Sequence, residues 1–415
     1  MRVLDLFAGA GGLSEGFIQE GFEIIAKIEK SKPACETLIT RNCYHFLKNT
    51  PDFYQYENYI KGHIDKQTLI SHAKKHGFDE NTIINLEIGE KTIDLAIEKV
   101  KGILNNLNLD GIIGGPPCQA YSLIGRSVND KKKENDERIY LYEYYIKFLN
   151  EFRPNFFIFE NVKGLLSYKD IDNTLLLPKI IQAFENCGYR IDYKLLDASK
   201  FGIPQKRERL FIYGYKHEHI DFFRQFEGEY SENDSFITIN QLFSDLPKIK
   251  AGQNYSQFNY LSTPIEYLNN TLIRPREWMV LTQHLSRPNN ENDLEIYKIV
   301  AESKQLGVNI PYSELPKKLI KHNNTVSFLD RFKALNGNSI SHTIVAHIAK
   351  DGHYYIHQDS EQNRSISVRE AARIQTFPDS FYFETSRTAA YTQIGNAVPP
   401  LLARKLANKI RTIHQ

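Results

Sequence analysis

Val3-Leu-Asp-Leu-Phe7, followed at once by Ala8-Gly-Ala-Gly-Gly12, decides the fold. The first five residues are a β-type run, and the glycines open a helical pattern through Leu13, Phe17 and Ile18 that closes near Gly21. Strand, glycine turn and helix thus follow in that order. Glycines let a backbone approach a ligand closely, and a helix start offers free N–H donors beside it. The same turn serves many doubly wound sheets merely to pack strand against helix. The next run, Phe22-Glu-Ile-Ile-Ala-Lys-Ile28, ends at Glu29. An acid in that place accepts hydrogen bonds from ribose hydroxyls in nucleoside-binding folds. Asp5 as a helix cap and Glu29 as a solvated charge are the plainer alternatives; the pair at this spacing favours a bound cofactor. The fold class expected is α/β, a doubly wound sheet.

A second strand-to-turn passage carries the chemistry. The run Leu109-Asp-Gly-Ile-Ile113 leads into Gly114-Gly-Pro-Pro-Cys-Gln-Ala-Tyr-Ser122. Pro116 and Pro117 fix their own φ angles and present Cys118 from a rigid mount, which suits a nucleophile; a small buried thiol is the commoner fate of such a cysteine. Asn129 to Arg138 is a charge cluster with the look of a solvated loop, able to close over a polyanion. Leu141 to Phe152 reads as a helix broken at Arg153-Pro154, and Phe156-Phe-Ile-Phe159 as a buried strand delivering Glu160-Asn-Val162 to the sheet edge where ligands sit. Tyr189–Leu196 and Leu210–Tyr213 read as a hairpin pair flanking Phe201-Gly-Ile-Pro-Gln-Lys-Arg-Glu-Arg209, whose arginines 207 and 209 alternate toward one face.

At 415 residues, 41% hydrophobic and 25% charged, the chain predicts a soluble protein of two structural units. No apolar run reaches the length of a membrane helix and no signal segment precedes the first strand, so a cytoplasmic location is expected. Cys35, Cys43, Cys118 and Cys187 form no Cys-x-x-Cys pair, which argues against a disulfide framework or a zinc site. A net charge of +2 leaves nucleic-acid binding to local basic faces. Residues 65–108 show helical periodicity without a chemical motif and read as a helical insertion. From Lys216 the composition shifts toward Asn, Ser, Tyr and Phe, with Arg274-Pro-Arg276, Trp278, His284, Arg287, Asn323-Asn324 and Arg331: the mix used to read base edges, and equally that of any polar loop-rich unit. Further on, Ser367 and Glu370 form a capping box after Arg364, and Gln393-Ile-Gly-Asn-Ala-Val-Pro-Pro400 opens a last helix free to pack beside the first strand.

Six stretches in this order resemble the bacterial-type DNA cytosine-C5 methyltransferases: Phe7-Ala-Gly-Ala-Gly11, Gly114-Gly-Pro-Pro-Cys-Gln119, Glu160-Asn-Val162, Gln205-Lys-Arg-Glu-Arg209, Arg369-Glu-Ala-Ala-Arg-Ile-Gln375 and Gln393-Ile-Gly-Asn-Ala-Val398. The resemblance implies a Rossmann-like methyltransferase sheet with a smaller target-recognition domain. The divisions it implies are a catalytic and cofactor domain at 1–215, target recognition at 216–340 and a return segment at 341–415.

The resemblance further implies S-adenosyl-L-methionine as methyl donor, S-adenosyl-L-homocysteine as product and no metal. By position, Phe7, Ala8, Gly9, Ala10, Gly11 and Gly12 would line the cofactor, Glu29 its ribose, and Asn396 and Val398 its amino-acid end, with Pro117 and Leu141 closing the pocket. In Lys61-Gly-His-Ile-Asp65, His63 with Ile64, or else Asp65, stands where the family holds adenine. Cys118 would attack C6 of a flipped-out cytosine, Glu160 hold N3 and the amine, and Arg209 the base oxygen, with Arg207 near Cys118 and the phosphate. Gln119, Ser122, Asn161, Gln205 and Arg364 would touch DNA. The partners implied are double-stranded DNA and a cognate restriction endonuclease, with the enzyme a monomer that protects host DNA. A tRNA methyltransferase and a non-catalytic DNA-binding protein are the alternatives.

Overall fold

The computed structural model describes residues 1–117, 137–216, 219–230, 237–321 and 329–414. Cys118, Gln119 and Ser122, most of the charge cluster after them, and Asn323-Asn324 lie outside the described residues.

Seven strands form one sheet in the order β3-β2-β1-β4-β5-β7-β6. They are β1 (Arg2–Leu6), β2 (Glu23–Glu29), β3 (Ile83–Asn85), β4 (Gly111–Gly114), β5 (Phe156–Val162), β6 (Arg190–Asp197) and β7 (Glu208–Tyr215). Neighbours from β3 to β5 run parallel, and β7 is antiparallel to both β5 and β6. The strand order reverses between β1 and β4, where doubly wound sheets open their ligand crevice. The expected β6–β7 hairpin pair and the strand carrying Glu160 are both present.

The segment 65–108, expected to be wholly helical, contains β3, which pairs with β2 and extends the sheet. Three residues are too few for a visible alternation, so the flanking helices Lys66–Lys75 and Ile93–Leu104 dominate its periodicity. Helix Ile93–Leu104 packs its Ile93, Ala96, Ile97 and Val100 into the same core as Leu4 and Ile28. The segment is therefore integral to the sheet rather than inserted beside it.

Alternate residues along the strands serve two cores. Leu4, Leu6, Ile112, Phe157 and Phe159 face the helices Ile93–Leu104, Leu141–Phe152 and Leu176–Asn186. Val3, Ile113, Ile158 and Phe211 face the first helix, Gly12–Gln19, and the last, Pro400–His414. This period of two is what a strand covered on both faces requires. The last helix does pack back on the start of the chain, and glycine makes the approach possible: a Cβ on Gly16 would lie 2.3 Å from the Arg404 amide nitrogen.

Residues after about 237 surround a third core, where Leu242, Trp278, Leu281 and Phe377 pack with Leu47 and Tyr56 from the N-terminal part. Beside it runs a buried ionic chain. Arg373 donates to Asp245 Oδ1 at 2.5 Å and to Asp379 Oδ2 at 2.6 Å, and Arg274 also pairs with Asp245. Tyr260 donates to Asp379 at 2.8 Å, and the Arg274 guanidinium lies 3.5 Å above its ring. Burial pushes the Asp245 carboxyl up, but Arg373 and Arg274 outweigh it and hold that carboxyl below its usual range.

Gly16→Ala is expected to force the first and last helices apart and cost about 1–3 kcal/mol. Gly102→Ala, in a helix where an added Cβ meets nothing within 4 Å, is expected to be neutral or to stabilise by up to about 1 kcal/mol. Chemical denaturation of the two variants beside the wild type checks the contrast.

Candidate active site

The carboxyl ends of β1, β2, β4 and β5 form one edge, and three turns meet there. Phe7 leaves β1 with φ +58° and Gly9 has φ +55°, which turns the chain sharply before the first helix. Ala8 N–H donates to the Ile28 carbonyl at 3.0 Å. The Gly9 N–H donates to Glu29 Oε2 at 2.8 Å and the Ser31 N–H to Oε1 at 2.7 Å. Each Glu29 oxygen is thus aimed by backbone and keeps a further lone pair, a fitting acceptor for a ribose diol. An added Cβ on Gly9 meets nothing within 4 Å, so the space above the turn is open. One on Gly12 would lie 2.2 Å from the Val398 carbonyl oxygen, which brings the 394–398 stretch against the glycine turn. Asn396 beside it is exposed and Val398 buried.

Asp5 caps no helix. It lies opposite Lys27 in the β1–β2 register, beneath the glycine turn, and accepts from Ser14 Oγ at 2.5 Å. Burial pushes its carboxyl up to about 7 and the Lys27 amine down to about 8.

Glu160 is placed from both sides. Its side chain is 14% exposed, and Oε1 lies 3.0 Å from Arg209 Nε. Arg209 is itself anchored, with Nη1 donating to the Glu208 carbonyl at 2.8 Å. The antiparallel register sets Val162 opposite Arg209 and Glu160 opposite Phe211, so one strand offset brings acid and arginine together. On the other side, an added Cβ on Gly115 would lie 2.6 Å from Glu160 Oε2. The bare glycine is what lets the Gly114–Pro117 turn lie against the carboxylate. Burial pushes the Glu160 carboxyl above its ordinary range; Arg209 and Arg207 pull it down, but burial prevails.

Asn161 is buried, its Nδ2 donating to the Pro116 carbonyl at 3.5 Å and its Oδ1 accepting from Val162 N–H at 2.9 Å. It joins β5 to the proline turn and is not presented to a ligand. Pro117 and Leu141 are half-buried.

Several other residues expected at the site are engaged by partners within the protein or stand apart from the sheet edge. Arg207 precedes β7 and is 1% exposed; it donates to the carbonyls of Ile344 at 2.7 Å, Gly395 at 3.3 Å and Ala397 at 2.8 Å. Gln205 is fully buried, bonded to the Ile374 carbonyl and the Ile344 N–H. Arg364, expected on DNA, is also fully buried, with two 2.7 Å bonds to Glu370. His63 and Ile64 sit between two helices, His63 exposed, and Asp65 caps helix Lys66–Lys75 through Thr68 N–H. None of the three follows the third strand, which is β3. The residues leaving β3 are Leu86, whose N–H donates to the Glu29 carbonyl at 3.0 Å, then Glu87 and Ile88. The apolar pair Ile83-Ile84 before Asn85 was the only signal for that edge position. Among the base-reading candidates, Arg274, Trp278 and His284 are core residues, His284 lying between Ser367 Oγ and the Pro247 carbonyl.

The sheet order, with a glycine turn and an acid at neighbouring strand ends, defines an α/β methyltransferase fold. The model of the C-5 cytosine-specific DNA methylase family matches residues 1–412. The chain is 40% identical to a type II methyltransferase of Bacillus paralicheniformis, covering 100% of this chain and 99% of that one. It is 30% identical to a type II methyltransferase of Desulfomicrobium norvegicum, covering 99% and 88% of the two chains. A prophage-encoded E. coli structure assigned as a DNA modification methyltransferase shares the fold at a TM-score of 0.65 and 22% identity, with 100% of both chains covered. The chain belongs to the C-5 cytosine-specific DNA methylase family, and it is a DNA (cytosine-5-)-methyltransferase. Enzymes of that family use S-adenosyl-L-methionine. Among the described residues no cluster of side chains suits a metal ion and no helix is long and apolar enough to cross a membrane.

Gly115→Ala, whose Cβ would also lie 2.8 Å from the Glu160 carbonyl oxygen, is expected to displace the Glu160 carboxylate, lower kcat about 10²-fold and cost about 1–3 kcal/mol of stability. Methyl transfer and thermal unfolding measured on one preparation check both halves. Arg364→Met is expected to act on stability instead, costing about 3–5 kcal/mol by stranding Glu370 in the interior. Loss of DNA affinity at wild-type stability would return Arg364 to the DNA.

Proposed function

We propose that this enzyme methylates C5 of a cytosine flipped out of a short duplex DNA site. The observation that carries the reading is the Glu160–Arg209 pair, held against the Gly114–Pro117 turn that leads to Cys118. C5 of cytosine is a weak nucleophile. Addition of the Cys118 thiolate to C6 makes an enamine whose C5 can accept a methyl group. Glu160, its carboxyl pushed up by burial, holds N3 and the exocyclic amine and shares a proton with N3 as charge develops on the ring. Arg209 grips the base oxygen and braces Glu160. A stacked base cannot reach these groups, so extrusion costs a few kcal/mol, recovered by contacts in the pocket. Arg207 and Gln205 contribute by holding the framework rather than by touching the base.

S-adenosyl-L-methionine supplies the methyl group when bound. The glycine turn of Phe7–Gly12 leaves it room, Glu29 offers two aimed acceptors to its ribose, and Asn396 and Val398 adjoin its amino-acid end. We place its adenine by the residues that leave β3 rather than by His63. Type II relatives support a restriction-modification role, with a cognate endonuclease acting on the same site. The monomeric state and the cytoplasmic location belong to this reading as well.

Duplex DNA carrying 5-fluorocytosine at the target tests the mechanism, because fluorine cannot leave as a proton. A covalent adduct at Cys118 is expected with the wild type and none with Cys118→Ser. Glu160→Gln is expected to lower kcat by about 10²–10⁴-fold. Methyl transfer to cytosine by Cys118→Ala at the wild-type rate would overturn the proposal.

A further inference from the structure

Two helices begin at the carboxyl edge of the sheet, and charged side chains are buried between them. The first helix, Gly12–Gln19, starts at the glycine turn, and helix Lys32–Leu47 starts just after Glu29, whose Oε1 accepts from the Ser31 N–H at 2.7 Å. Helix Lys32–Leu47 also touches the turn directly, because an added Cβ on Gly11 would lie 2.8 Å from Leu38 Cδ2. The spacing of these helices therefore sets how the glycine turn stands against Glu29.

The charges in that interior are Asp5, Glu15, Lys27 and Arg41. Arg41 takes Glu15 by two bonds, Nη2 to Oε1 at 2.6 Å and Nε to Oε2 at 2.8 Å, and His45 adds a contact at 3.0 Å. Burial lowers the imidazole to about 4, so His45 brings no further charge at neutral pH. Lys27 and Asp5 are left to each other, facing across the β1–β2 register at 2% and 1% exposure. Each is tied to a different helix. Lys27 Nζ donates to Asn42 Oδ1 at 2.5 Å, and Asp5 Oδ2 accepts from Ser14 Oγ at 2.5 Å. The remaining oxygen, Asp5 Oδ1, accepts no hydrogen bond among the described residues. Its charge is balanced through space by the ammonium, an attraction far stronger in the interior than in water.

We propose that Asp5 and Lys27 are positioning residues for the cofactor: their attraction across β1 and β2 holds Ser14 and Asn42, and with them the starts of both helices, at the separation S-adenosyl-L-methionine requires. They act through the glycine turn and Glu29, so the inference rests on the cofactor placement proposed above. The charged groups that bear on Asp5 are Lys27 and Glu29, and those that bear on Lys27 are Asp5, Glu15 and Arg41. Burial outweighs Ser14 and Lys27 and leaves the Asp5 carboxyl at about 7. Below that pH the carboxyl takes up a proton, the pair loses its anion, and the new O–H faces an ammonium that has no acceptor to offer. Cofactor affinity then falls.

Calorimetric titration of the full-length enzyme with S-adenosyl-L-homocysteine tests the proposal, with thermal unfolding measured on every variant. Lys27→Met is expected to weaken binding about tenfold and to raise the KM for S-adenosyl-L-methionine, with kcat held within about twofold. That variant strands a buried carboxylate, so Lys27→Met combined with Asp5→Asn, which removes both charges, is the discriminating protein. A melting temperature near that of the wild type together with weak binding is its expected result. Wild-type binding by the double variant, or by Lys27→Met alone, overturns the proposal. Wild-type binding is also expected to weaken as the pH falls through about 7, and the double variant to lose that dependence; an unchanged pH profile in the double variant overturns the role of the pair. Glu29→Ala, titrated alongside, separates the two levels. Wild-type binding by Glu29→Ala fails the cofactor placement itself, whereas weak binding there beside wild-type binding by Lys27→Met fails the positioning pair alone.

Discussion

The guanidinium of Arg207 joins three parts of the chain that meet nowhere else in sequence. It sits just before β7, the strand that carries Arg209, and donates to the Ile344 carbonyl and to two carbonyls in the turn before the last helix. Arginine is suited to this because its planar fork satisfies several carbonyls in fixed directions while staying charged in the interior. The charge has to be held by backbone dipoles at that depth, and those dipoles are what order the turn beside the glycine loop. Gln375 adds a second tie, donating to the Ile394 carbonyl at 2.6 Å and the Ala397 carbonyl at 3.1 Å. The turn beside the glycine loop and the strand that carries Arg209 are thereby parts of one buried network.

Glu160 shows how such a framework sets chemistry. A carboxylate facing an arginine at 3.0 Å would ordinarily be held ionised. Here the removal of water outweighs the arginines, so the carboxyl titrates above its ordinary range while its direction is still fixed by Arg209. Gly115 contributes to the same balance, since the close turn excludes water from one side of the carboxylate. Orientation comes from charge and proton affinity from burial, and the two are supplied by different neighbours.

Much of this was legible in the sequence, and what was not has a physical cause. Glycine turns, a strand delivering Glu160 and the capping box at Ser367 depend on local chemistry, and local chemistry is written in neighbouring residues. The burial of Arg364, Arg207 and Gln205 depends on partners that short motifs do not contain. Arg364 finds Glu370 only once helix Val368–Ile374 turns back on it, and Arg207 meets its acceptors 137 to 190 positions away. An arginine in a polar stretch reads as a surface ligand until a buried acid faces it. β3 was missed for a different reason: three residues cannot show a period, and its membership in the sheet is decided by β2.

The same burial changes what the overall charge means. Lys27, Arg41, Arg207, Arg274, Arg364, Arg369 and Arg373 are all interior, and Asp5, Glu15, Asp245, Glu370, Asp379 and Glu384 are buried with them. Cations and anions leave the surface in similar numbers, so a net charge of +2 hides a substantial internal ionic structure rather than a weakly charged exterior. Replacing such networks with apolar residues would often cost nothing in stability. Their geometry here has a different effect: Arg373 clamps helix Val368–Ile374 to Asp245 and Asp379, and Arg41 ties Glu15 of the first helix to Ser380. These pairs fix how the segments around Asp245 and Ser380 sit on the sheet. The charges available to meet a DNA phosphate backbone are then those left outside.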